Sequence, residues 1–124
     1  MKVLVKRVNE DAEVKEIELN LETLHELVGG YIEAIYLSNT LSNKGIFAYG
    51  NENAKIERKR CNFWLYKKQD ICCGDVVFLK DDGKGNEIGL TDADIELVKQ
   101  FLKKAEMTEN EKLVINSLIM SDFL

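Results

Sequence analysis

The first half of the chain alternates between short apolar runs and polar segments, a pattern that predicts strands. Residues 2–8 and 13–19 mix aliphatic with charged residues and flank a polar segment at 9–12, which is typical of a β-hairpin. The run Y-I-E-A-I-Y-L at 31–37 is rich in β-branched and aromatic residues, so it predicts a strand more clearly than any other segment. After a loop-like segment at 38–44, strand character resumes in I-F-A-Y-G, and a second hairpin is expected there.

Three other segments show the spacing of helices. Apolar residues recur at three- and four-residue intervals over 21–28, with Asn20 as the predicted N-cap and Gly29 as the residue that ends the helix. A longer helix is predicted over 92–105, where the preceding T-D-A-D sequence resembles a capping box with Asp in place of Glu. The T-E-N-E sequence at 108–111 matches the capping box itself and predicts a last helix.

These elements together predict an α+β fold. We expect a mostly antiparallel, twisted sheet of five or six strands, to which the apolar runs at 61–66 and 75–80 also contribute. The helices at 21–28 and 92–105 would pack on this sheet, because each has a single apolar stripe to bury. The chain length fits one domain, with its core within residues 1–105.

Residues 106–124 are predicted to form a C-terminal helical extension. Its apolar residues lie on more than one face, and the chain ends with Phe123 and Leu124. A helix of this kind has to be covered on two sides. Contact with a second copy in a homo-oligomer would cover it, and so would docking on the sheet of the same chain.

Charge is distributed unevenly along the sequence. The whole chain carries a net charge of -5, yet K-I-E-R-K-R-C-N-F-W-L-Y-K-K at 55–68 holds six basic residues and one acidic residue, so the stretch carries +5 and the remainder -10. Basic side chains interleaved with aromatic rings are the combination that binds phosphate and base in nucleotide ligands. This pattern predicts ligand-binding residues in the segment: Arg58, Arg60, Asn62, Trp64 and Tyr66.

The same segment has a purely structural interpretation. On a strand over 61–66, Asn62, Trp64 and Tyr66 share one face while Phe63 and Leu65 share the other. If Phe63 and Leu65 face the core, Trp64 stands among the positive charges. If Trp64 is buried instead, the lysines and arginines belong to a solvated edge strand that resists aggregation.

The G-G-Y-I-E sequence that joins the first helix to the next strand is a second candidate surface. Two glycines allow close approach of a ligand, with Tyr31 as a stacking face and Glu33 as a hydrogen-bond acceptor, so Gly30, Tyr31 and Glu33 are predicted as a further binding surface. Alternatively, Gly29 caps the helix, Gly30 relieves the turn and Glu33 faces solvent.

Several classes of function are disfavoured by composition. No run reaches the roughly 20 apolar residues that cross a bilayer, and Lys6 and Arg7 interrupt the start too early for a signal peptide, so a cytoplasmic protein without membrane contact is expected. The surplus of negative charge outside 55–68 makes long nucleic acid an unfavourable partner.

Catalytic and metal-binding patterns are weak as well. The single histidine, His25, lies on a predicted helix, and the cysteines at 61, 72 and 73 lack metal-ligand spacing. The carboxylates of Asp92 and Asp94 are explained by helix capping. We therefore expect neither a catalytic residue set, nor a metal site, nor a cofactor.

Five strings of residues resemble the domain-of-unknown-function family 3846. They are M-K-V-L-V at the start, L-E-T-L-H-E-L-V-G-G-Y-I-E-A-I-Y at 21–36, N-E-N at 51–53, I-C-C-G-D-V-V-F-L at 71–79 and G-L-T-D-A-D-I-E at 89–96. The likeness covers about residues 1–105 and is most specific at V-G-G-Y-I-E. The family occurs in bacteria, largely Gram-positive ones, and in their phages, prophages and plasmids, and the resemblance implies that genomic setting and a fold, but no chemistry.

The chain departs from that family in the basic segment, where R-K-R-C-N-F-W-L at 58–65 retains Asn62 and Leu65 but has Phe63 in place of an expected arginine. The predicted function is a non-enzymatic phage or prophage accessory protein that sequesters a small, nucleotide-like host ligand and so blunts a host defence. The alternatives are an inhibitor that presents its acidic surface to a host nucleic-acid enzyme, and an oligomeric structural module without a ligand.

Overall fold

An antiparallel six-stranded sheet forms the centre of the protein, whose computed structural model describes residues 1–121. Along the sheet the order is β2-β1-β7-β4-β3. The short strand β8 pairs with the last residues of β7, past the segment of β7 that pairs with β1. These strands are β1 (Lys2–Lys6), β2 (Glu13–Glu16), β3 (Ile32–Ile35), β4 (Ile46–Asn51), β7 (Val76–Asp81) and β8 (Glu87–Ile88). Within the described residues, β2 and β3 are therefore the two outer strands of this order.

A second, two-stranded sheet and four helices complete the described fold. The strands β5 (Cys61–Leu65) and β6 (Asp70–Cys73) pair only with each other, with a bulge between Cys61 and Phe63. The helices are α1 (Leu21–Val28), α2 (Asn39–Asn43), α3 (Asp92–Lys104) and α4 (Glu109–Met120).

Both faces of the central sheet are covered, which explains why successive residues of its middle strands are apolar. On one face, Val3, Val5 and Val77 pack with Val28 of α1. On the other face, Leu4 and Phe78 pack with α3 and with Phe63 of the β5–β6 hairpin. The Phe63 ring lies 6.2 Å from that of Phe78 and 6.0 Å from that of Phe101, measured between centroids.

The predicted helix ends are confirmed. The Asn20 side chain accepts a hydrogen bond from the Thr23 amide, and Gly29 ends α1 in the left-handed conformation with φ of 76°. Reciprocal capping boxes open both C-terminal helices, at Thr91 with Asp94 and at Thr108 with Glu111. The α+β class and the antiparallel sheet are confirmed as well.

Other details differ from the prediction. The segment expected as a loop at 38–44 contains α2, because the Ser38 side chain caps it and Leu41 is buried in the core. Residues 61–66 do not join the main sheet; their strand pairs instead with β6, which the sequence pattern did not predict. This hairpin lies over the sheet as a separate layer, since Phe63 and Leu65 point into the main core.

The last helix docks on its own chain. Ile119 and, in part, Ile115 of α4 pack with Cys61, Cys73 and Met107 on the outer side of the β5–β6 hairpin. Docking leaves apolar side chains of α4 exposed, namely Leu113, Val114 and Met120. Phe123 and Leu124 lie outside the described residues.

Candidate functional site

The residues predicted to bind ligand are distributed over separate surfaces. Arg60 lines a shallow depression beside the end of α1, and Asn62 lines a cavity under the β1–β2 turn. Trp64 and Tyr66 line a groove next to α3, and Glu33 lines an adjoining cleft between β3 and β6 that Tyr66 also borders. Arg58 is exposed in the loop before β5. The basic segment therefore does not form one continuous binding face.

Asn62 is a buried structural residue at the base of its cavity. Its Nδ2 donates to the backbone oxygens of Lys6, at 3.0 Å, and Gly74, at 2.8 Å, and its Oδ1 accepts from Lys6 Nζ at 3.0 Å. Burial and the nearby Lys112 lower the pKa of Lys6. Asn62 thus ties β5 to β1 and to the turn after β6.

Trp64 is half-buried beneath α4, although Phe63 and Leu65 are the buried pair of β5. Neither sequence interpretation included a second layer on the outer side of this strand. The backbone N–H of Trp64 donates to Ala105 O at 2.8 Å, which fixes β5 against the end of α3. The indole nitrogen of Trp64 is buried, and within residues 1–121 it makes no hydrogen bond of standard geometry. It nevertheless lies near the Glu111 carboxylate and contributes to lowering the pKa of that group.

Gly30 has a structural neighbour that explains its lack of a side chain. A Cβ at this position would lie 2.9 Å from Nδ2 of Asn51, which is well inside van der Waals contact. Asn51 is buried, and its amide donates to Gly29 O and Glu57 Oε1 and accepts from the Asn53 N–H. The side chain thereby caps the end of α1 and the N-E-N turn together.

Tyr31 and Glu33 lie at the start and in the middle of the same edge of the sheet, but they do not converge on one ligand position. The exposed Tyr31 ring contacts His25 edge to face, with centroids 5.4 Å apart. Glu33 and Ile35 share a strand face and line the cleft toward β6.

The groove beside α3 combines aromatic and basic side chains. We call it the tyrosine groove; it has a volume of about 470 Å³, and its lining includes Tyr36, Tyr66, Lys67, Lys68 and Lys104. The two tyrosine rings stack with centroids 6.2 Å apart and planes inclined by 23°. The Tyr66 hydroxyl donates to Tyr36 O at 3.2 Å, and the Tyr36 hydroxyl bonds to Asn39 Oδ1.

The turn that carries Tyr66 over the groove is strained. Tyr66, Lys67 and Lys68 have φ of 51°, 53° and 70°, so three successive residues with side chains occupy the left-handed region. Each such residue costs about 1–2 kcal/mol relative to an ordinary conformation. Hydrogen bonds from the Gln69 amide to Leu65 O and Tyr66 O, both of 3.1 Å, close the turn. Strain of this kind persists at functional sites more often than elsewhere.

Positive charge in the groove is only partly neutralised. Lys68 forms a 3.3 Å ion pair with Glu111. The pKa of Glu111 is lowered to about 2, mainly by a hydrogen bond from the Thr108 backbone and to a smaller extent by Trp64 and Lys68. In the part of the chain that the structure describes, Lys67 and Lys104 form no ion pair. Two ammonium groups therefore face the groove without a protein counter-charge among the described residues.

Comparison with known proteins gives one match. The family described as a domain of unknown function, DUF3846, matches residues 1–104. The chain belongs to this family. No curated protein and no solved structure matches it.

The match ends at the last residue of α3, so the part of this DUF3846 protein that forms α4 lies outside the family region. Most of the tyrosine groove lies within the matched residues, including Lys104 at their end. The helix α4 contributes Glu111, the ion-pair partner of Lys68.

The three thiols of the DUF3846 protein are buried. Burial raises the pKa of Cys73 to about 11 and also raises those of Cys61 and Cys72, which suppresses thiolate chemistry. Among residues 1–121 no group of three or more His, Cys, Asp or Glu side chains is arranged to hold a metal ion. No helix in the same range is long and apolar enough to cross a membrane.

Of the residues that line the groove, sequence reasoning singled out Trp64 and Tyr66 and did not include Tyr36 or Lys104. Tyr36 and Lys104 lie 30 and 38 positions from Tyr66 in the sequence, and the fold brings all three to one groove. Lys104 is on the exposed side of α3, where an isolated lysine is a normal solvent-facing residue. No local pattern distinguishes it from the other lysines of that helix.

Proposed function

We propose that this protein is a non-catalytic, cytoplasmic accessory protein of a phage or prophage that binds and sequesters a small, anionic, nucleotide-like molecule of the host, and that the tyrosine groove is its binding site. The consequence for the host would be a weakened defence or regulatory signal. The observation that carries the proposal is the convergence of two stacked tyrosines and three lysines on one groove of about 470 Å³.

The chemistry of the groove suits both halves of a nucleotide. A base stacks on an exposed aromatic face, and each contact of this kind contributes about 1–3 kcal/mol. Tyr36 and Tyr66 are 45% and 42% exposed, so ring surface is accessible. The ammonium groups of Lys67 and Lys104 would neutralise phosphate oxygens through charge-assisted hydrogen bonds. The groove volume lies within the range of small-molecule sites.

The strained turn supports the same assignment. Relaxing Lys67 or Lys68 to an ordinary conformation would move its ammonium group away from its present place at the groove, because both belong to one closed turn. A preformed arrangement lowers the entropic cost of binding a charged ligand. The fold thus maintains this turn at a cost in stability.

Native mass spectrometry of the freshly purified protein tests the proposal. We expect an additional mass of nucleotide size, which is lost in the double variant Lys67→Glu with Lys104→Glu. The control is Lys84→Glu with Lys44→Glu, which makes the same change in net charge at exposed positions outside the groove. If the bound mass is absent from the wild type, and titration with adenosine monophosphate and cyclic dinucleotides shows no binding, the proposal is wrong.

A second candidate function rests on the acidic surface. Between residues 10 and 26 the chain exposes seven carboxylates. They are Glu10, Asp11, Glu13, Glu16, Glu18, Glu22 and Glu26. Such a surface could occupy a basic site on a host nucleic-acid enzyme. Inhibition of this type needs the protein target and weakens as salt rises, whereas nucleotide capture occurs in the isolated protein.

The exposed part of α4 favours a homo-oligomer. Leu113, Val114 and Met120 are each more than half exposed, and apolar residues exposed together on one helix are typical of contact surfaces. We propose that this side of α4 contacts a second copy. Sedimentation of Leu113→Lys with Val114→Lys against the wild type tests this: a monomeric variant and an oligomeric wild type are expected, and a monomeric wild type would contradict it.

A further inference from the structure

The free edge of β3 is open for pairing at two positions. The Glu52 amide donates to Tyr31 O at 2.8 Å, so Tyr31, Glu33 and Ile35 bond to β4 in the alternating pattern of antiparallel strands. Ile32 and Ala34 therefore direct their backbone N–H and C=O groups away from β4. Within residues 1–121 no other backbone group bonds to them on that side.

The other places where a strand could be added, at β2, at β6 and beyond Ala34 on β3, are blocked by charged side chains or by hydrogen bonds. Strand addition is therefore directed to Ile32 and Ala34. The β2 edge has the sequence E-V-K-E, and charged side chains of this kind block strand addition. On β6, the Ile71 amide donates to Asp70 Oδ1 at 2.7 Å, and the same oxygen accepts from Lys55 Nζ at 2.8 Å. The next outward carbonyl along β3, that of Tyr36, accepts from the Tyr66 hydroxyl.

The open edge borders a cleft with a defined chemical character. We call it the edge cleft; it has a volume of about 500 Å³ and lies between the residues of β3 and those of β6. Ile56 at its border is 83% exposed, the largest exposed fraction among the large hydrophobic residues described. Glu33 and Glu52 also line it and have no ion-pair partner in the described chain, whereas Lys55 is paired with Asp70.

We propose that the edge cleft binds an extended segment of a partner protein, in which basic and aliphatic residues alternate, as an additional strand on β3. Backbone hydrogen bonds to Ile32 and Ala34 would hold the segment, in the way that other sheet edges recruit peptides. Its basic residues would lie near Glu33 and Glu52, and an aliphatic residue would cover Ile56. This surface adjoins the nucleotide site, and Tyr36 and Tyr66 line both.

A synthetic peptide of about six residues, the usual length of a strand, tests the proposal. Its sequence alternates lysine and valine, and binding is followed by fluorescence anisotropy together with amide hydrogen exchange. We expect the Ile32 and Ala34 amides to exchange at least about tenfold more slowly with peptide bound, since each gains a hydrogen bond. A peptide with alternate backbone nitrogens methylated, and one with glutamate in place of lysine, should bind at least about tenfold more weakly.

Matched variants locate the contact on the protein. Ala34→Lys places a charge on the open edge and should weaken peptide binding at least about tenfold, whereas Val14→Lys places the same charge on the β2 edge and should leave it within about twofold. Equal effects of the two variants, or peptide binding without slower exchange at Ile32 and Ala34, would overturn the proposal. So would undetectable binding at about 1 mM peptide.

One further result would assign the edge differently. If the Ile32 and Ala34 amides become protected without peptide as protein concentration rises, the edge pairs with a second copy, and the partner-segment proposal is wrong. The peptide assay and the nucleotide assay use different probes and different variants, so either proposal can fail while the other stands.

Discussion

Replacing Gly30 by alanine tests whether the glycine pair at the end of α1 serves the fold. The added Cβ would lie 2.9 Å from Asn51 Nδ2 and 3.2 Å from its Cγ, so the buried amide has to move by roughly 0.5 Å to reach an ordinary contact. That movement disrupts one or two of its bonds to Gly29, Glu57 and Asn53. The expected loss is about 1–3 kcal/mol.

The unfolded chain offsets part of this loss. Gly30 does not have a positive φ, so alanine carries no conformational penalty there and lowers the entropy of the unfolded state, which stabilises by about 0.4–1 kcal/mol. The net destabilisation is about 0.5–2 kcal/mol, or about 2–8 °C in Tm for a chain of this length. Chemical denaturation with urea gives the free energy of unfolding directly.

A double-mutant cycle makes the reasoning refutable. In an Asn51→Ala background the colliding amide is absent, so Gly30→Ala should become neutral or slightly stabilising. The same loss of stability in both backgrounds would show that Asn51 is not the reason for the glycine. Nucleotide binding should be unchanged in Gly30→Ala, since the residue does not line the tyrosine groove.

Three further predictions concern α4, Asp94 and the strained turn. Ile119→Ala should cost about 2–4 kcal/mol in urea denaturation because the side chain is buried between α4 and the β5–β6 hairpin. The exposed Leu113→Ala should change stability by less than about 0.5 kcal/mol, and equal costs would contradict the docking of α4. Burial alone would raise the pKa of Asp94, but hydrogen bonds from Thr91 and Lys80 outweigh it and lower the pKa. The stability that this carboxylate contributes is therefore present above its unfolded pKa of about 3.9 and is lost as pH falls through the lower folded pKa. The difference in unfolding free energy between wild type and Asp94→Asn should accordingly be constant near neutral pH and shrink in acid, and a pH-independent difference would exclude this role. Lys67→Gly should raise stability by about 1 kcal/mol in thermal denaturation by relieving the left-handed φ and should weaken nucleotide binding; a loss of stability would show that the turn is not strained.

Elements whose signals are local could be predicted from the sequence. The caps of α1, α3 and α4 depend on residues within a few positions of one another, so Asn20, Thr91 and Thr108 could be identified directly. The β5–β6 turn could not, because Tyr66, Lys67 and Lys68 adopt a conformation that turn rules reserve for glycine and asparagine. With that turn unrecognised, β6 and the separate hairpin were missed.

The candidate site was only partly accessible to sequence reasoning for a related reason. The basic segment at 55–68 is continuous in sequence, but the bend through Arg58, the bulge at Asn62 and the turn at Tyr66 direct its side chains to different surfaces. The set of side chains that lines the tyrosine groove depends on how α3 and β3 pack against the β5–β6 hairpin. Contacts between segments more than 30 positions apart, such as Trp64 N–H to Ala105 O, have no signature in local spacing.

The most direct test of the central claim is a two-dimensional NMR titration of the isotopically labelled protein with adenosine monophosphate. We predict that the largest amide shifts occur at Tyr36, Tyr66, Lys67 and Lys104, around the tyrosine groove, and that they disappear in Lys67→Glu with Lys104→Glu. Shifts centred instead on Gly30, or no shifts at a nucleotide concentration of about 1 mM, would contradict the assignment of this groove as a nucleotide site.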